Sequence, residues 1–122
     1  MTNYKFDIII PTFNSENTIK KCLNSISNQT ISKELINVTI VDNLSKDKTL
    51  KIAQLFNKKL NLTIISEMDT GIYNAMNKGI LATSNSILYF LGSDDSLYSN
   101  TVLENIYKEF SHEILIIWGD CY

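Results

Sequence analysis

The stretch Ile87-Leu88-Tyr89-Phe90-Leu91-Gly92-Ser93-Asp94-Asp95 decides how the rest of the chain reads. An apolar run without polar interruption fits a strand buried on both faces, the pattern of a parallel sheet rather than of a half-wet antiparallel one. The polar residues that follow then stand at the strand's carboxyl end, where open α/β sheets take their ligands. Adjacent carboxylates repel each other there unless a cation is shared. Gly, Ser and Asp also populate solvated turns for backbone reasons alone. The acidic pair therefore reads as a site only if other strand ends supply groups for the same guest.

Upstream, Phe6 to Ile10 is a β-branched run stopped by Pro11, and Ile19, Cys22, Leu23 and Ile26 follow at helical spacing. Val38 to Val41 repeats the pattern, running into Asp42-Asn43 and then a helix with Ile52, Ala53, Phe56 and Leu60 on one face. Leu62 to Ile65 reads as a third strand, and Ile72, Ala75, Met76, Gly79 and Ile80 mark a third amphipathic helix. Downstream, Thr101 and Glu104 have capping-box spacing at the head of a helix that turns Val102, Leu103, Ile106 and Phe110 inward, and Ile114 to Trp118 follows as a last strand. This alternation implies right-handed βαβ units. The predicted class is α/β, doubly wound: a Rossmann-like, mainly parallel sheet of about five strands with helices on both faces.

At 122 residues the chain is long enough for one core and too short for two. Its 44% hydrophobic and 20% charged residues describe a globular chain, and a net charge of −2 gives no reason to expect nucleic acid. All 11 basic residues are lysine, so no guanidinium fork is present to hold a phosphate bidentately. Cys22 and Cys121 lack C-x-x-C spacing, which fits a reducing compartment and excludes a zinc ribbon or disulfide framework. No apolar run approaches the roughly 18 residues that cross a bilayer. The expected location is the cytoplasm, peripheral to the inner face of the cell membrane where a membrane-facing surface exists.

The carboxyl ends of strands one, two and four can converge on one crevice, making neighbours of the loops Pro11 to Glu16, Asp42 to Asp47 and Gly92 to Asp95. The first of these, Pro11-Thr12-Phe13-Asn14-Ser15-Glu16, contains no glycine and cannot be the pyrophosphate turn of a dinucleotide fold. A Walker pattern is absent too. A nucleotide whose phosphates are held by Mg²⁺ or Mn²⁺ on Asp94 and Asp95 solves the problem. Such an ion also neutralises charge as it develops on a departing nucleoside diphosphate. That is glycosyl-transfer chemistry.

These residues carry a resemblance to family 2 glycosyltransferases of the GT-A fold, in their N-terminal, donor-binding half. Ile8-Ile9-Ile10-Pro11-Thr12-Phe13-Asn14 is similar to that family's first strand and loop, continuing through Cys22-Leu23-Asn24-Ser25-Ile26 and Gln29. Val41-Asp42-Asn43-Leu44-Ser45-Lys46-Asp47-Lys48-Thr49 resembles its second motif, usually V-D-D-G-S-x-D-x-T. Ser66-Glu67-Met68-Asp69-Thr70-Gly71-Ile72-Tyr73-Asn74-Ala75-Met76-Asn77-Lys78-Gly79-Ile80 is similar to a signature of enzymes of bacterial polysaccharide assembly.

The resemblance implies that Thr12, Phe13 and Asn14 frame base and ribose, that Asp42 receives the base edge, and that Asp94 or Asp95 binds metal. The nucleotide-binding set expected is Pro11, Thr12, Phe13, Asn14, Glu16, Asp42, Asn43, Asp69, Lys78, Ser93 and Asp94, with Asp94 and Asp95 as metal ligands. Gly92 stands where the family's D-x-D-D motif has its leading acid, and Asn43 replaces a frequent second acid. The implied donor is a UDP-sugar, the acceptor a saccharide or lipid-linked saccharide, and the outcome inversion. The family's catalytic base normally lies beyond the equivalent of residue 122. The chain is thus expected to be a single donor domain that lacks the acceptor part, inactive alone and prone to self-association through uncovered apolar surface.

Blander roles compete at several positions. Asp47 reads as a helix-start residue, Ser15 as an N-cap with Glu16 in the first turn, and Gly71, Tyr73, Met76, Gly79 and Trp118 as packing residues. His112 reads as solvated. A phosphoacceptor receiver domain fails because its acids follow strand one, where this chain has Pro11-Thr12. A non-catalytic nucleotide-binding or scaffold module is the alternative.

Overall fold

β-Branched residues hold the backbone extended, and the run through Ile8, Ile9 and Ile10 lies at the centre of the fold. In the computed structural model, which describes residues 5–68, 87–109 and 115–118, β1 is Phe6–Thr12, β2 Ile36–Asp42, β3 Asn61–Ser66, β4 Ile87–Phe90 and β5 Leu115–Trp118. Their order in the sheet is β3-β2-β1-β4-β5, with every neighbouring pair parallel. The chain builds outward from β1 to β3, then returns to the other side of β1. This reversal makes β1 and β4 the topological switch point of the sheet.

Pro11 does not end β1 as the sequence suggests; it pairs with Val41, and the strand continues to Thr12. The reason is the ladder's asymmetry. The Ile9 carbonyl accepts the Leu91 N–H on the β4 side, whereas the Thr12 carbonyl accepts the Asn43 N–H on the β2 side. In a parallel ladder Pro11 shares the orientation of Ile9, so its missing N–H falls on the β4 side, where pairing is already ending.

Alternate residues divide between two faces. Phe6, Ile8, Ile10, Val38, Ile40, Ile87 and Tyr89 form one apolar cluster with α1 (Ile19–Ser27), α2 (Thr49–Gln54) and α3 (Val102–Glu109), through residues such as Leu23, Ala53 and Leu103. On the other face Ile9, Val41 and Phe90 are buried with Leu88 packed against them. Burial on both sides is what the uninterrupted apolar strands predict. The third helix expected over 72–80 lies outside the described residues.

α2 is shorter than its periodicity implies. After Gln54 the chain tightens into turns, with Leu55, Phe56 and Asn57 N–H groups bonding three residues back, yet Phe56 and Leu60 stay buried on the same face. At α3 the predicted capping box gives way to other partners. Thr101 N–H donates to Ser99 Oγ, and the Glu104 carboxylate accepts from Thr30 Oγ1 at 3.0 Å instead.

Candidate functional site

The loops that follow β1 and β2 are sewn together along their length. Asn43 N–H reaches the Thr12 carbonyl, Asn14 N–H reaches Ser45 Oγ at 2.8 Å, and Lys46 N–H reaches Asn14 Oδ1 at 2.9 Å. Further along, Ser15 N–H bonds Thr49 Oγ1, Glu16 N–H bonds Asp47 Oδ2, and Lys48 N–H bonds Glu16 Oε2. Short polar side chains in these loops thus replace the ladder once the strands end. Asp47 also accepts the Thr49 N–H and hydroxyl, so its helix-start role is real but made by hydrogen bonds. Ser15 does not cap α1: its carbonyl accepts the Thr18 and Ile19 N–H groups, while its hydroxyl leaves for another loop.

Asp42 is the knot under this seam. It is wholly buried, and its carboxylate accepts from Thr12 Oγ1 at 2.6 Å, Ser45 N–H at 2.8 Å, Ser45 Oγ and Ser66 Oγ at 2.9 Å. Burial pushes the carboxyl up, but the Ser45 and Thr12 hydroxyls, the Ser45 N–H and Ser66 together outweigh it and hold it below the usual carboxylate value. Every lone-pair direction of the side chain is occupied. A base edge would have to displace one of these donors, and Ser66 is the exposed one.

Across the switch point, the residues after β4 turn tightly, with Asp95 N–H bonding the Gly92 carbonyl at 3.0 Å. Both acidic side chains fold back toward the same place. A Cβ at Gly92 would meet Asp95 Oδ2 at 2.7 Å and Asp94 Oδ1 at 3.0 Å. The glycine that replaces the family's leading acid therefore leaves the space into which two carboxylates converge. Ser93 Oγ lies 2.8 Å from Ser15 Oγ, joining this loop to the one after β1.

Two further residues position the acidic loop. Gln29 is buried; its Nε2 donates to the Ser25 and Ser99 carbonyls, and its Oε1 accepts the Leu103 N–H. Cys22 sits beneath the loop with Sγ 3.7 Å from the Gly92 carbonyl. Burial, then the Asp95 and Asp94 charges, push its thiol up to about 12. Native protein at mildly alkaline pH should therefore resist iodoacetamide at Cys22 and accept it only after unfolding, as read by peptide mass mapping. Stoichiometric labelling of native Cys22 would contradict this burial.

The structure thus gathers Pro11, Thr12, Phe13, Asn14, Glu16, Asp42, Asn43, Ser93, Asp94 and Asp95 at neighbouring strand ends. Asp69 and Lys78 lie outside the described residues. Ser15, Ser45 and Gln29, which organise the crevice, were not singled out as site residues by sequence; their signal was a hydroxyl or amide just beyond a strand or helix end. Among the described residues no group of three or more metal-ligating side chains occurs.

The model of glycosyl transferase family 2 matches residues 7–122. A PGL/p-HBAD biosynthesis glycosyltransferase of Mycobacterium tuberculosis is 41% identical over 103 residues, covering 83% of this chain and 40% of the relative. The poly(ribitol-phosphate) β-N-acetylglucosaminyltransferase TarS of Staphylococcus aureus is 35% identical over 80% of this chain and 18% of its own length. The crystal structure of S. aureus TarS 1–349 with UDP-GlcNAc superposes with a TM-score of 0.81 at 31% identity, over 85% of this chain and 30% of that one. A mannosyltransferase of Pyrobaculum calidifontis, solved with GDP-mannose and Mn²⁺, shares the fold at a TM-score of 0.80 and 23% identity. The chain thus spans well under half the length of these relatives.

Proposed function

Because the chain belongs to glycosyltransferase family 2, we propose that its crevice binds a nucleotide-diphospho-sugar, a UDP-sugar, together with a divalent cation. The sugar then passes, with inversion, to a hydroxyl of a saccharide or lipid-linked saccharide. The observation that carries this reading is the convergence of Asp94 and Asp95 over Gly92 at the switch point, facing two loops sewn into one wall. TarS, whose structure holds UDP-GlcNAc, supports the choice of UDP.

The donor set fits a hard cation. Asp94 and Asp95 would hold Mg²⁺ or Mn²⁺, which favour carboxylate oxygens and leave positions for phosphate oxygens and water. When bound, the ion supplies charge neutralisation on the leaving diphosphate. The chain's own side chains do the rest. Phe13, 60% exposed, offers a ring face to the base, Asp42 can receive a base N–H in place of Ser66, and Asn14 and Glu16 hold the wall rather than the ligand. Asp69 and Lys78 remain nucleotide-binding candidates in this proposal.

Of the described carboxylates at the strand ends, Glu16, Asp42 and Asp47 are held in loop hydrogen bonds. In this proposal the general base for the acceptor hydroxyl is none of these three. Among the described residues no helix is long and apolar enough to cross a membrane. Work at the inner face of the cell membrane, with self-association through the acceptor side, completes the proposal.

Thermal shift tests the binding step. UDP and UDP-GlcNAc should stabilise the chain only with Mn²⁺ or Mg²⁺, by about 2.7 kcal/mol at a hundredfold excess over Kd; an equal shift in EDTA overturns the cation's role. Product formation tests the rest. A chain extended to the length of its relatives should transfer sugar where the 122 residues only bind, and binding without transfer by both would favour the non-catalytic module.

A further inference from the structure

A row of hydrogen bonds runs from the loop after β2 to the acidic turn, and each link has a defined donor. Asp47 accepts the Thr49 hydroxyl and N–H on Oδ1 and the Glu16 N–H on Oδ2. Partial desolvation raises its carboxyl, but the Thr49 hydroxyl, the Thr49 N–H and the Glu16 N–H outweigh it and hold it below the usual carboxylate value. An ionised carboxylate only accepts. With its proton committed to that group, Thr49 Oγ1 in turn accepts the Ser15 N–H at 2.7 Å, and Thr49 is wholly buried.

Ser15 carries the row across the switch point. Its hydroxyl accepts the Phe13 N–H at 3.3 Å and has two acceptors for its own proton, the Phe13 carbonyl at 3.4 Å and Ser93 Oγ at 2.8 Å. The shorter contact is the stronger one, which makes Ser93 the acceptor. Ser93 is the second residue of the turn closed by the Asp95 N–H and the Gly92 carbonyl, directly before Asp94. A hydroxyl that accepts keeps its own proton to give. We infer that Ser15 is a positioning residue: held by Asp47 and Thr49, it orients Ser93 so that the Ser93 hydroxyl donates to an oxygen of the ligand's diphosphate beside the acidic pair.

This role rests on the donor reading and extends it to a residue that need not touch the ligand. It also answers a shortage of donors, since all 11 basic residues are lysine and no guanidinium stands in the chain to hold a diphosphate. A fixed hydroxyl next to a cation supplies a neutral donor there. Anchoring by Ser15 removes in advance the rotational freedom that a loose serine would lose on binding.

Calorimetric titration of UDP·Mn²⁺ into Ser15→Ala, Ser93→Ala and the double variant tests the row, with free uridine as a second ligand. Each single substitution should weaken UDP·Mn²⁺ about fivefold, the scale of one hydrogen bond. The double variant should lose no more than Ser93→Ala alone, because Ser15 acts through Ser93. Ser93→Thr, which keeps the hydroxyl, should restore affinity. Free uridine has no diphosphate, so it should bind Ser93→Ala and wild type alike. Additive losses in the double variant, an equal loss of uridine affinity in Ser93→Ala, or unchanged UDP·Mn²⁺ affinity in that variant overturns the positioning role and leaves the donor reading standing. If the wild-type chain fails to bind UDP with metal, the donor reading itself falls and takes the row's role with it.

Discussion

Asp94→Ala and Asp95→Ala should each cost at least about a hundredfold in affinity for UDP·Mn²⁺, roughly 2.7 kcal/mol, the amount expected when a buried or ligand-shared charge interaction is lost. The fold should persist, because neither side chain enters an apolar cluster and the loop backbone is held independently by Leu97 N–H on Ser25 Oγ and by the Gln29 amide. Removing one of two neighbouring carboxylates also relieves their repulsion, so melting of the metal-free protein should stay level or rise slightly. Titration of each variant with UDP at fixed Mn²⁺, beside circular dichroism, provides the check. Wild-type affinity in both variants would reduce the acidic pair to a turn and remove the cation from the mechanism.

Asp42→Ala should act on the opposite balance, with stability lost as well as the acceptor proposed for the base N–H. The substitution strands the buried Thr12 hydroxyl and frees two donors of Ser45. Hydrogen bonds to a charged acceptor contribute about 1.5–3 kcal/mol each, and the partly exposed Ser45 and Ser66 can return to water. A net loss of about 3 kcal/mol follows, or roughly 10 °C in melting temperature for a domain of this size. The pH dependence carries a defined sign. A carboxyl whose folded value is depressed stabilises the fold above its unfolded value, near 3.9, and loses that contribution as pH falls through the folded value. Wild-type urea midpoints should therefore drop below about pH 4 while those of Asp42→Ala change less over the same interval. Parallel pH curves for the two proteins would show that Asp42 is not the knot of the seam.

Strands β1, β2 and β4 were legible because each carries an apolar run buried on both faces, and the parallel arrangement followed from alternation with amphipathic helices. Pro11 was misread because a one-dimensional pattern does not say which neighbour a backbone N–H would have faced. Thr101 and Glu104 have the spacing of a reciprocal cap, but Thr30, far upstream in the chain, takes the carboxylate instead. The acidic pair was visible as a pair; its convergence depended on the empty side of Gly92. Asp42 was visible as an acid at a strand end, whereas its saturation by Thr12, Ser45 and Ser66 depends on three segments meeting.

Sequence separation gives the acidic loop a kinetic history of its own. Its anchors join positions 78 apart at Ser15 and Ser93, 72 apart at Ser25 and Leu97, and 70 apart at Gln29 and Ser99. Contacts of such span incur the entropy of closing long loops before they return any stabilisation, and they form late. A partly folded chain could hold the β1-β2-β3 sheet and its sewn loops while the carboxylates still wander apart. During refolding, cation-dependent nucleotide binding should therefore lag behind strand formation and mark the moment at which the two halves of the sheet close on each other.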